Sequence, residues 1–87
     1  SIDSEDVINI YPNPAKHFCH IDLDFSTPKK VTIELLDLTG RPVYSYHAGK
    51  ISGEQITLNL ADFSRGIYLL KITSGDKVAT KKLIIEK

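Results

Sequence analysis

The chain has one cysteine, Cys19, in 87 residues, so it cannot close a disulfide of its own, and a lone thiol says nothing about redox compartment. It also lacks an excess of either charge: eleven basic side chains face eleven acidic ones, for a net charge of +0. That balance argues against nucleic acid as a partner, because holding a phosphate backbone requires a net basic surface. No apolar run approaches the ~20 residues that a membrane-spanning helix needs. No basic, apolar and small-residue sequence of the signal-peptide kind opens the chain, so for an exported protein that signal is expected upstream of Ser1. Convincing amphipathic helices, internal repeats and low-complexity stretches are missing too. What remains is one domain with one core, short enough to bury only roughly 60% of the surface its unfolded chain exposes.

Short alternating runs fill that domain. Val7 to Tyr11 alternates and stops at Pro12-Asn13-Pro14, where two prolines remove amide donors and fix φ, making a rigid corner. From His17 to Phe25, Cys19, Ile21, Leu23 and Phe25 share one face, while His20, Asp22 and Asp24 share the other. Phe18 breaks the polar side near the start of that strand. Thr27 to Lys30 reads as a turn; Val31, Ile33 and Leu35 then point inward before Leu36 and Leu38 reverse the phase, which predicts a bulge or a strand covered on both faces. Asp37 to Arg41 is a tight turn with Gly40 at positive φ, and Val43 to His47 is the next strand, with Pro42 suited to an edge. Gly49 to Gly53 reads as a loop, Gln55 to Leu60 as a strand with Ile56, Leu58 and Leu60 inward, and Ala61 to Gly66 as a single helical turn.

The last third is the hub. Tyr68, Leu70 and Ile72 form one face of a strand that meets Gly75-Asp76, a pair suited to a two-residue primed turn, and Leu83 and Ile85 give the returning arm an apolar face. Strand starts at Val7, His17, Val31, Val43, Gln55, Ile67 and Val78 give about seven short strands, which favours an all-β, two-sheet antiparallel sandwich.

Candidates for chemistry are sparse. His17, Cys19, His20 and Asp22 are close in sequence, but a two-residue period sends them to opposite faces, whereas zinc requires ligands converging on one point. Cys19 lies with Ile21 and Leu23 on the apolar face, away from any base, and reads as a core residue rather than a nucleophile. Asp22 and Asp24 read as a solvated face, and Tyr44 and Tyr46 either as packing or as a sugar-binding platform. No catalytic set, metal site or cofactor site is expected. Charge is uneven along the chain: acids dominate before Pro28, whereas from Lys71 onward Lys71, Lys77, Lys81, Lys82 and Lys87 outnumber Asp76 and Glu86. Those lysines read either as guards of a sheet edge or as a basic segment displayed to a receptor.

The order of the punctuation is more specific than any one residue. Tyr11-Pro12-Asn13-Pro14, then Leu38-Thr39-Gly40-Arg41 ahead of Val43, then Ser64-Arg65-Gly66-Ile67-Tyr68, then Lys81-Lys82-Leu83-Ile84-Ile85-Glu86-Lys87 resembles the type A C-terminal sorting domain of the type IX (Por) secretion system over residues 7 to 87. The resemblance implies an immunoglobulin-like seven-stranded antiparallel β-sandwich without enzymatic activity, attached to secreted or surface proteins of the Bacteroidetes. It implies passage through the periplasm behind an upstream cargo protein, recognition by the outer-membrane type IX translocon, removal by a surface sortase, and a final location at the cell surface or outside the cell. Residues 1 to 6 are then the remnant of a linker to the cargo. The family's motifs fall on Pro12, Asn13, Pro14, Gly40, Val43, Gly66 and Tyr68, which read as structural, with Val43 and Tyr68 filling the core. They also fall on the last segment, where Lys81, Lys82, Leu83, Ile85 and Lys87 are the residues expected to carry translocon recognition, by strand addition or through an acidic groove. The competing expectation is a carbohydrate-binding or adhesion module, with Tyr44 and Tyr46 as its platform.

Overall fold

The computed structural model describes residues 7–87; the expected linker, residues 1 to 6, lies outside the described residues. Five strands carry the chain: β1 (Val7–Tyr11), β2 (Phe18–Leu36), β3 (Pro42–Asn59), β4 (Gly66–Ser74) and β5 (Lys77–Ile85), with no helix among the described residues. The strands pair antiparallel, in the order β1-β2-β4-β5, with β3 also on β2.

The alternating faces read from sequence are the buried ones. Cys19, Ile21, Leu23, Phe25, Val31, Ile33, Leu35, Ile56, Leu58, Leu60, Tyr68, Leu70, Ile72, Leu83 and Ile85 all belong to one core cluster. Each fully buried leucine or isoleucine contributes about 1.5–3 kcal/mol against the entropy lost in ordering the chain.

Where seven short strands were expected, two long ones run through the expected breaks. The 19 residues of β2 would reach about 60 Å if straight, at about 3.3 Å per residue. The molecule is only 36 Å in its longest dimension, so β2 and its partner β3 must bend, and the sheet curls on itself. The bend falls at the expected turns. Asp24 pairs with Gly53 and Lys29 with Ile51, leaving residues 25–28 opposite Ser52 alone. Pro28 therefore sits where no ladder bond is needed, which is how a strand tolerates it. A second slip, between Val31↔Gly49 and Thr32↔His47, coincides with Gly49 at φ 75, the geometry of a glycine bulge.

On one side of the bend, residues 18–24 of β2 lie between β1 and residues 53–59 of β3. On the other, residues 29–36 lie between residues 42–51 of β3 and β4, which carries β5. The β4-β5 hairpin closes as expected: Ser74 pairs with Lys77, and only the first turn residue, Gly75 at φ 62, has positive φ, which makes it a type II′ turn.

Two local expectations are corrected, the helical turn at residues 61–66 and the core placement of Val43, and the expected bulge is located. Residues 61–66 form no helical turn: Asn59 Oδ1 accepts Ala61 N at 2.9 Å, a local side-chain bond that competes with helix, and a single Phe63 N to Leu60 O bond of 3.2 Å turns the chain. The phase reversal at Leu36 is a bulge on the partner strand: Leu35 pairs with Tyr44 and Leu36 with Pro42, so Val43 is the extra residue. Val43 consequently lies on a thin edge strand, 41% exposed, and does not fill the core, whereas Tyr68 does at 8%. Strand β2 ends at Leu36, and Leu38 is solvent-facing in the turn that follows.

Cys19 is fully buried, and desolvation raises its thiol above the ordinary cysteine value. The native protein is therefore expected to resist alkylation at neutral pH and to react stoichiometrically once denatured; a mass-spectrometric time course with iodoacetamide measures both, and rapid native labelling contradicts this placement.

Candidate recognition surface along the last strand

Pro12-Asn13-Pro14-Ala15 crosses the open side of β5. Both peptide bonds preceding the prolines are cis. Asn13 Nδ2 donates to Lys82 O at 2.8 Å, and Ile84 N donates to Asn13 Oδ1 at 3.0 Å. A carboxamide offers a donor and an acceptor in one plane, so Asn13 stands in for a peptide group of a neighbouring strand; leucine or aspartate cannot make both bonds. Ala15 N continues the seam to Ile84 O at 2.8 Å, and Glu86 N donates to Ala15 O at 2.7 Å, forming a parallel bridge. The backbone edge of β5 is thus occupied from Lys82 to Glu86.

That seam divides the recognition candidates. Leu83 and Ile85 face inward, at 0% and 1% exposure. Lys81 and Lys82 are exposed, and Lys82 gives only its carbonyl to Asn13. Lys87 is exposed but anchored, its Nζ donating to Ala61 O at 3.0 Å. Lys16 and Lys87 line one hollow at this end, with Glu86 as the acid beside Lys87.

The remaining motif positions hold turns. Gly40 takes φ 87 in a turn organised by Asp37, whose carboxylate accepts from Thr39 N at 2.9 Å, Thr39 Oγ1 at 2.6 Å and Arg41 N at 3.0 Å. The Thr39 hydroxyl, followed by the Arg41 amide, lowers the Asp37 carboxyl from its ordinary value. A depressed carboxylate stabilises the fold above its unfolded value of about 3.9 and loses that contribution as pH falls through the folded value. The melting-temperature gap between wild type and Asp37→Asn is therefore expected to be widest near neutrality and to close in acid; a gap independent of pH contradicts it. Gly66 opens β4, where a Cβ would stand 3.8 Å from the Tyr68 ring, and the Tyr68 hydroxyl donates to Ser64 O at 2.7 Å.

The other candidates are engaged elsewhere. His20 Nδ1 bonds with Thr57 Oγ1 at 3.0 Å, Tyr11 donates to Asp22 at 2.9 Å, and Gln55 donates to both partners of that pair. Among the described residues no three metal-ligating side chains converge. Tyr44 meets Phe63 edge-on at 6.0 Å, and Phe63 meets Tyr68 at 6.4 Å, so Tyr44 belongs to an aromatic cluster; Tyr46 lies beside it, 41% exposed.

The Asn13 seam and the Lys87 anchor were not anticipated from sequence. The available hint was an amide residue isolated between two prolines, which places one hydrogen-bonding side chain where backbone donors are absent.

The family model described as "Secretion system C-terminal sorting domain" matches residues 9–86. No curated protein matches the chain.

Proposed function

We propose that this chain, which belongs to the secretion system C-terminal sorting domain family, is a non-catalytic export signal. It directs an upstream cargo protein across the outer membrane and is read in its folded state through Lys81, Lys82 and Lys87. The reader is the type IX translocon, met in the periplasm, and a surface sortase then severs the domain from its cargo at the cell surface. The observation that carries this reading is the sealed edge of β5. With Lys82 O, Ile84 N, Ile84 O and Glu86 N already bonded to Asn13 and Ala15, strand addition over that stretch is closed, and with Leu83 and Ile85 in the core, lysine side chains are what the segment offers a partner. Acidic groups on the receptor complement them and set the encounter rate.

In the same reading the curled sheet is an immunoglobulin-like sandwich. Counting β2 and β3 as two strands each on either side of the bend gives seven, arranged as β1 with the first half of β2 and the second half of β3, facing the remaining four. Tyr68 supports it: a tyrosine near the start of a strand whose hydroxyl bonds to backbone a few residues upstream is the tyrosine corner of such domains.

Export of a fluorescent reporter tests the function. A reporter with an inner-membrane signal peptide and residues 1–87 is expected outside a bacterium that has a type IX system, and in the periplasm when the same strain lacks its translocon. Retention in both strains overturns the reading.

A further inference from the structure

Phe18 is one of the large apolar residues that stay exposed outside the core. It opens β2 on the same side as His20 and Asp22, and is 49% exposed. It is not isolated. Phe18 lines a shallow groove with Pro12, Pro14, Lys16, His17 and His20. A second hollow, lined by Lys16, His17, Ala61, Glu86 and Lys87, shares two of those residues, so one continuous surface runs from the Pro12 corner to Lys87. Its centre is apolar, with one aromatic ring and two prolines held rigidly by the Asn13 seam. Its rim carries Lys16 and Lys87, with Glu86 as the acid among its lining residues.

An aromatic anchor in a preformed groove, with a charged rim in which two lysines outnumber one acid, has the composition of a docking hot spot. We infer that the Phe18 groove and the adjoining Lys16–Lys87 rim form a docking surface for a protein partner that presents an acidic patch around an apolar knob. This rests on the sorting reading and extends it: the partner is a component of the export machinery, and it contacts the Pro12–Phe18 corner together with Lys87. The charge pattern selects that occupant. The two rim lysines complement an acidic partner, whereas symmetric pairing of this face with a second copy of the chain would bring lysine against lysine.

The test is export of the reporter carrying residues 1–87 with Phe18→Ser, with Lys16→Glu, or with Val78→Ser. Val78 is a comparably exposed apolar residue, 55% accessible, beside the Gly75-Asp76 turn. Phe18→Ser and Lys16→Glu are expected to lower export at least about tenfold with unchanged thermal melting, and Val78→Ser to export like the unsubstituted domain. If Phe18→Ser and Lys16→Glu export normally while the unsubstituted domain is still exported, the docking surface is wrong and the sorting reading stands. Equal loss from Val78→Ser overturns it as well. Failure of the unsubstituted domain to export removes both.

Discussion

Ile85→Ala is expected to lower the unfolding free energy by about 2–5 kcal/mol, the usual cost of emptying a closed core site. Ile85 is 1% exposed and pairs with Gly66 across the hairpin, and its neighbour Leu83, at 0%, pairs with Tyr68, so the end of β5 closes the core beside the Tyr68 corner. Domains of this size hold only about 5–15 kcal/mol in total. Leu83→Ala,Ile85→Ala together are therefore expected to leave the domain largely unfolded, and a chain ending at Thr80 fares worse, since it also loses the Asn13 and Ala15 bonds. Lys82→Ala, on a solvent-facing side chain, should stay within about 0.5 kcal/mol of wild type. Urea titrations followed by circular dichroism separate the two classes, and an Ile85→Ala protein as stable as Lys82→Ala contradicts the core placement. The consequence for function is direct: loss of export on truncation reports unfolding as much as loss of a signal, so the signal has to be probed by substitutions that spare the core.

Local patterns were legible wherever the residues that repeat also touch. The Cys19-Ile21-Leu23-Phe25 alternation, the Gly75-Asp76 turn and the Gly40 turn all appear where the sequence placed them, because period-2 burial and positive φ are local properties. The strand breaks at Thr27–Lys30 and Gly49–Gly53 were misplaced for a definable reason. Proline and glycine report where a ladder bond is absent, and a bend in a continuous strand satisfies that condition as well as its end does. Val43 was read as core as one of the family's motif positions; the bulge that displaces it depends on pairing with Leu35 and Leu36, which its own neighbours do not encode. The Asn13 seam joins residues about seventy positions apart in the chain, beyond any local pattern. The family, by contrast, was visible from the order of the motifs alone, and its match covers residues 9–86. The composition of the last segment was legible, but its geometry was not: sequence grouped Leu83 and Ile85 with the lysines, whereas the fold buries the two apolar side chains and leaves Lys81, Lys82 and Lys87 exposed.

Replacing Lys81, Lys82 and Lys87 together by alanine is expected to have the largest effect on export of any change that leaves the fold standing. All three are exposed, and the Lys87 Nζ to Ala61 O contact is a surface bond whose loss costs about 1 kcal/mol, whereas the Lys82 bond to Asn13 uses its backbone carbonyl and survives the substitution. The substitutions also move the domain from a net charge of +0 to an acidic one, which weakens long-range attraction to an acidic receptor. The decisive measurement is therefore the partition of a reporter between medium and periplasm for residues 1–87 and for the Lys81→Ala,Lys82→Ala,Lys87→Ala variant, with thermal melting of both purified domains recorded alongside. A folded variant held in the periplasm, with export below about a tenth of the unsubstituted level, is the predicted result. A folded variant that reaches the medium as efficiently as the unsubstituted domain contradicts the claim that these lysines are what the export machinery reads.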